Sequence, residues 1–198
     1  MKKIKVSLWA LCALCALVVS HAAMAATTLE YAILKEGDPI GKEVVVINDS
    51  DKGVNVDVVT KTNVKMLFLE FNYEHQRREV WENGELVSMH SRTNDDGTHH
   101  EYSVTRQADG LQVLYDGKNK NFDAKALPLS LWSKAALYRN VLFSVIDAEP
   151  FKTQTVALDD NHFKIDGDIT RELWFADDGY LQKAAFKRKG FLIELLRK

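Results

Sequence analysis

From residue 26 onwards, apolar side chains recur at every second position, and the runs they form are cut short by turn residues. A period of two puts neighbouring side chains on opposite faces, so it describes strands rather than helices. Val54, Val56 and Val58 alternate with Asn55 and Asp57, the pattern of a strand with one buried face. TLEYAILKE, GKEVVVIN, LVSMHSR, HHEYSVTR and LQVLY read as strands, and so do KTQTVALDD, HFKIDGD, TRELWFA, YLQKAAFKR and FLIELLRK. Between them stand GDPI, NDSDKG, ENGE, TNDDGT, QADG, DGKNK, DDGY and RKG. Glycine in such turns supplies the positive φ of tight hairpins. Connections this short join antiparallel neighbours. The expected fold is therefore mainly β, a curved antiparallel meander. Only Pro39, Pro128 and Pro150 occur, with no linker-like or low-complexity stretch, so residues 26–198 are expected to form a single β-rich domain.

The period changes once. In LPLSLWSKAALYRNVLF, Leu131, Ala135 and Tyr138 fall at helical spacing, Pro128 suits a helix start and Ser130 is placed to cap it. This predicts one short α-helix over 129–138, with the meander curled around it as a half-barrel.

Residues 1–25 carry Lys2, Lys3 and Lys5, then an apolar run from Val6 to Val19, then Ala23-Met24-Ala25. That is the order of a cleavable secretory signal peptide. The apolar run is short for a span, which needs about 20 residues, and no later run is long enough, so the mature chain is expected to have no transmembrane segment. Cys12 and Cys15 lie within this leader, and Leu11 and Leu14 before them do not suit lipidation. The mature chain then has no cysteine and depends on its core alone. Removing the three leader lysines from 26 basic residues leaves 23 against 28 acidic ones, a net charge of −5. A nucleic-acid partner, which needs a basic footprint, is not expected. The periplasm is the expected location.

Several stretches resemble sites. In RTNDDGTHHEYSV, His99 and His100 are strand neighbours that point to opposite faces, so they do not share a metal, and Asp95-Asp96-Gly97 suits a hairpin bend. NDSDKG departs from a calcium loop at Ser50 and Lys52. There is no nucleophile elbow, phosphate loop or facing carboxylate pair, so no catalytic residue, metal or cofactor is expected.

The aromatic content points elsewhere. VKMLFLEF is apolar on both faces, and Phe68, Phe71, Tyr73, Trp81, Tyr102, Trp132 and Trp174 fall on strands or on the expected helix. They fill a core, or they line a concave apolar pocket. On the second reading the ligand-binding residues are Phe71, Tyr73, His75, Trp81, His100, Tyr102, Trp132 and Trp174. REVWENGELVSMHS and RELWFADDGYLQKAAF echo each other, as convergent hairpins or as two related halves with Trp81 and Trp174 in matching places.

GDPIGKEVVVI, EVWENGELVSMHSRTNDDGTHHEYSV, LPLSLWSKAAL and IDGDITRELWFADDGYLQKAAFKRKGFLIELLRK follow in an order that resembles an exported bacterial family known as domain of unknown function 6134. The resemblance carries no activity and no site residues. More distantly, a sheet around a short helix is similar to periplasmic lipoprotein carriers of the LolA/LolB type, a likeness of fold alone. The leading expectation is non-catalytic binding of a hydrophobic, lipid-like ligand in a concave sheet. The alternatives are an assembly partner of envelope proteins acting through a sheet edge such as GFLIELLRK, and a hydrolase-type enzyme using His75 and His100.

Overall fold

The computed structural model describes residues 26–66 and 69–198. The expected leader, its two cysteines, and Leu67 and Phe68 lie outside the described residues. The first half is a run of hairpins: β1 (Ala26–Lys35), β2 (Asp38–Ser50), β3 (Gly53–Met66), β4 (Leu69–Glu82), β5 (Glu85–Asp95), β6 (Thr98–Gln107), β7 (Gly110–Tyr115) and β8 (Lys118–Phe122). Short strands β9 (Leu127–Pro128) and β10 (Val141–Phe143) follow. The second half is β11 (Pro150–Ala157), β12 (His162–Gly167), β13 (Arg171–Phe175), β14 (Leu181–Arg188) and β15 (Phe191–Arg197).

The fifteen strands of the described residues form one sheet, in the order 8-7-6-5-4-3-2-1-15-14-13-12-11-10-9. Neighbours are antiparallel except β9 and β10, which run parallel. The chain's two arms thus spread from a central β1–β15 pair, where Ile33 faces Leu195. The sheet is open, with β8 and β9 at its ends. GFLIELLRK, expected as a free edge, is paired on both sides, to β1 and to β14.

Alternation decides the inner face. Leu29, Tyr31 and Ile33 on β1, Val56 and Val58 on β3, Tyr102 and Val104 on β6, and Leu173 and Phe175 on β13 are all buried. The segment between β8 and β11 supplies the filling, with Leu127, Leu137, Leu142 and Phe143 each at most 5% exposed.

That filling is not the α-helix expected over 129–138. It runs irregularly from Leu129 to Ser133 and then makes a single 3₁₀ turn, Lys134–Tyr138, capped by Ser133, whose hydroxyl accepts from the Ala135 N–H at 3.3 Å. The cause is tertiary. Leu129 donates its N–H to Phe143 O at 2.8 Å, as a strand would. The Ser130 hydroxyl and the Trp132 indole N–H both go to Glu79 of β4 rather than to a helix start. A helix would pull both donors off that carboxylate.

The turns follow the sequence closely. Glu36-Gly37, Asn83-Gly84, Asp96-Gly97, Asp116-Gly117 and Lys189-Gly190 each place both residues at positive φ, the conformation of a two-residue I′ hairpin.

Candidate functional site

Beyond the packed centre, the inner face of the sheet opens into a cavity of about 670 Å³. Its walls come from alternate positions on strands that are adjacent in the sheet: Ile33 of β1, Ile40 of β2, Val64 of β3, Phe71 of β4, and Ile193 and Leu195 of β15. Leu129, Leu131, Val145 and Ile146 of the filling segment close the other side. Phe71 and Phe191 are 40% and 37% exposed, so apolar rings are left at this opening.

One side of the floor is polar. Going inward along β4, Tyr73, His75 and Arg77 line the cavity, and Glu79 and Trp81 continue beneath it. Glu79 is fully buried and accepts from Arg77 Nε at 2.6 Å, Trp81 Nε1 at 2.9 Å, Trp132 Nε1 at 3.0 Å and the Ser130 hydroxyl. Trp81 and Trp132 meet edge to face, with centroids 6.1 Å apart. Burial opposes the charge of Arg77, and Glu79 and Glu43 more than offset it, so its pKa is raised. A buried carboxylate saturated in this way joins the filling segment to the sheet.

His75 is equally enclosed. Arg77 has only donors, so Nε2 of His75 accepts from its guanidinium at 3.2 Å. The ring proton is then on Nδ1, donated to Thr93 Oγ1 at 2.8 Å. Burial, and then the charges of Arg77 and Arg188, lower its pKa to about 3. The ring is neutral at pH 7, and its one lone pair is engaged.

The rim is cationic. Arg188 of β14 pairs with Asp95 of β5 at 3.0 Å and lies over the Tyr73 ring at 4.7 Å. Five strands separate β14 from β5 in the sheet order, so this pair spans the opening. Burial, partly opposed by Arg188, raises the Tyr73 pKa to about 12, and the phenol stays neutral. Arg171 of β13 stacks on Phe186 at 4.1 Å and donates to Thr170 O at 2.8 Å.

Of the eight residues singled out in the sequence, Phe71, Tyr73 and His75 line this cavity. Trp81 and Trp132 meet below it. His100 and Tyr102 face Tyr115 instead: His100 Nδ1 lies 2.8 Å from the Tyr115 hydroxyl, and the Tyr102 hydroxyl donates to Ser144 O at 2.7 Å. His75, Thr93 and His100 are in register across β4, β5 and β6. The two histidines therefore share a face with Thr93 between them, roughly 10 Å apart, or two strand spacings. Trp174 is on the outer face, stacked on His162 with centroids 4.3 Å apart. The REVW and RELW echo is thus out of phase by one residue: Trp81 points in, and Trp174 points out. Sequence reasoning missed Arg171 and Arg188. The signal for Arg171 was parity, because it shares the inward face of Leu173 and Phe175.

A family model described as domain of unknown function DUF6134 matches residues 31–198. The chain belongs to this family. No curated protein matches the chain. Among solved structures, this DUF6134 domain is similar to a β-barrel-like protein of domain of unknown function DUF1849 from Brucella abortus. The TM-score is 0.62 at 11% identity, over 88% of this chain and 96% of that one. At that identity the likeness is one of fold. Among the described residues, no helix is long and apolar enough to cross a membrane.

Proposed function

We propose that this DUF6134 protein is a non-catalytic binding protein of the bacterial periplasm that holds one hydrophobic, lipid-like molecule in the cavity of its sheet. The observation that carries this reading is the cavity itself. Its volume lies within the range of about 300–1,000 Å³ typical of small-molecule sites, and its walls are mainly aliphatic and aromatic, with a few polar groups gathered on one side. Burying a chain there gains about 0.8 kcal/mol for each methylene removed from water. The leader expected at residues 1–25 supports the periplasmic part of this reading, since envelope lipids pass through that compartment, and the distant likeness to lipoprotein carriers belongs to the same proposal. The non-catalytic part is supported by His75, whose lone pair is engaged by Arg77 and whose basicity is suppressed. It is also supported by the separation of His75 from His100.

The test is native mass spectrometry of the protein purified from the periplasm of expressing cells, with solvent extraction of the same sample. The expected result is a mass excess of one apolar molecule, recovered in the extract. A bare polypeptide mass, together with no saturable uptake of an apolar dye, would overturn the reading.

A further inference from the structure

We propose that the ligand is an anionic amphiphile: its carboxylate or phosphate head is held by Arg171 and Arg188, and its single acyl chain lies along the apolar walls. This rests on the hydrophobic-ligand reading above. Two guanidiniums from adjacent strands face one cavity whose other walls are apolar. Each is held by a ring, Arg171 by Phe186 and Arg188 by Tyr73. Arg188 has Asp95 as its counter-charge. Arg171 has no carboxylate within ion-pair distance among the described residues, and its one hydrogen bond there goes to a backbone carbonyl.

A half-buried cation beside a second cation is an unfavourable arrangement unless an anion completes it. Burial, and then the neighbouring charge of Arg188, lower the Arg171 pKa to about 10, so the group remains charged at pH 7. Cationic side chains lining the cavity outnumber carboxylates five to three, and His75 adds no charge. Arginine's forked donors match the planar or tetrahedral oxygens of a carboxylate or phosphate. A methylene takes up on the order of 30 Å³, near the share of a water molecule. A cavity of about 670 Å³ therefore has room for one long acyl chain with its head.

The experiment is calorimetric titration of the delipidated full mature chain with laurate, dodecyl phosphate, dodecanol and inorganic phosphate at pH 7. The anionic amphiphiles are expected to bind about ten- to a hundredfold more tightly than dodecanol, the worth of a charged hydrogen-bond pair. Arg171→Gln should bring laurate to within a few-fold of dodecanol and leave dodecanol unchanged, and Arg171→Lys should restore part of the preference. If wild-type protein binds dodecanol as tightly as laurate, the headgroup proposal is overturned and the hydrophobic-ligand reading stands. If inorganic phosphate binds as tightly as dodecyl phosphate, the site takes a free anion and the amphiphile proposal is overturned. If none of the four binds, both fall. The wild-type comparison decides the matter even where the variants do not fold.

Discussion

At the scale of single residues, the controlling feature is that β4 carries its polar side chains inward. A period of two puts His75, Arg77, Glu79 and Trp81 on one face, which turns polar along the strand. It does not show that the polar stretch is the buried one. That depends on Ser130 and Trp132, some fifty positions away, arriving to satisfy Glu79. Glu79→Ala would leave Arg77 as a buried cation without its partner and would orphan two indole N–H groups. The expected loss is about 3–5 kcal/mol in urea denaturation, with both tryptophans shifting in fluorescence. His75 makes a pH prediction. Above about pH 6.5 the ring is neutral in the folded and unfolded chains alike. Between that value and about 3, only the unfolded chain takes up the proton, so folded stability falls as pH falls. The slope for this one group approaches about 1.4 kcal/mol per pH unit, and it flattens below the folded pKa. His75→Gln retains an acceptor for Arg77 and a donor for Thr93. Its stability relative to wild type should therefore rise steadily as pH is lowered from 6.5, and parallel curves would remove the assignment.

At the scale of elements, the strands and hairpins were legible because both of their signals are local. Alternation fixes which face is buried, and an X-Gly pair fixes the turn. Asp96-Gly97 shows the rule: Gly97 sits at φ 90° with open space where a Cβ would stand, and the bend expected from Asp95-Asp96-Gly97 is there. The segment at 129–138 was misread because its helical spacing is short, while the forces that shape it act at long range. Gly53 shows a tighter constraint that sequence did not reveal. At φ 143°, a Cβ there would meet the Trp81 carbonyl oxygen at 2.0 Å. Gly53→Ala is therefore expected to cost more than the roughly 1 kcal/mol of Gly97→Ala, because backbone of β3 and β4 must separate. Thermal melting of the two variants, side by side, checks the order.

At the scale of the molecule, the joining of the chain's two arms was not legible. No local pattern says that the first strand pairs with the last, yet that pairing moves GFLIELLRK from an edge to the centre. Nor does any local pattern say that Asp95 and Arg188 meet across the mouth. The cavity is a product of this joining of the arms. Its walls are drawn from both arms of the chain, which is why only Phe71, Tyr73 and His75 of the expected ligand residues line it. The aromatic residues expected beside them were assigned by type, whereas register sends Trp174 outward and Trp132 packs against the core beside Trp81.

The central claim is that this cavity holds one apolar molecule, and it is tested most directly by making the native mass measurement on wild type and on Val64→Trp together. Val64 lines the cavity and is only half-buried, so a large ring there takes up part of the space without entering the core. The expected result is one bound apolar molecule on wild type and a clearly lower occupancy on the variant, both folded. An equal mass excess on the two proteins, or none on either, would contradict the account.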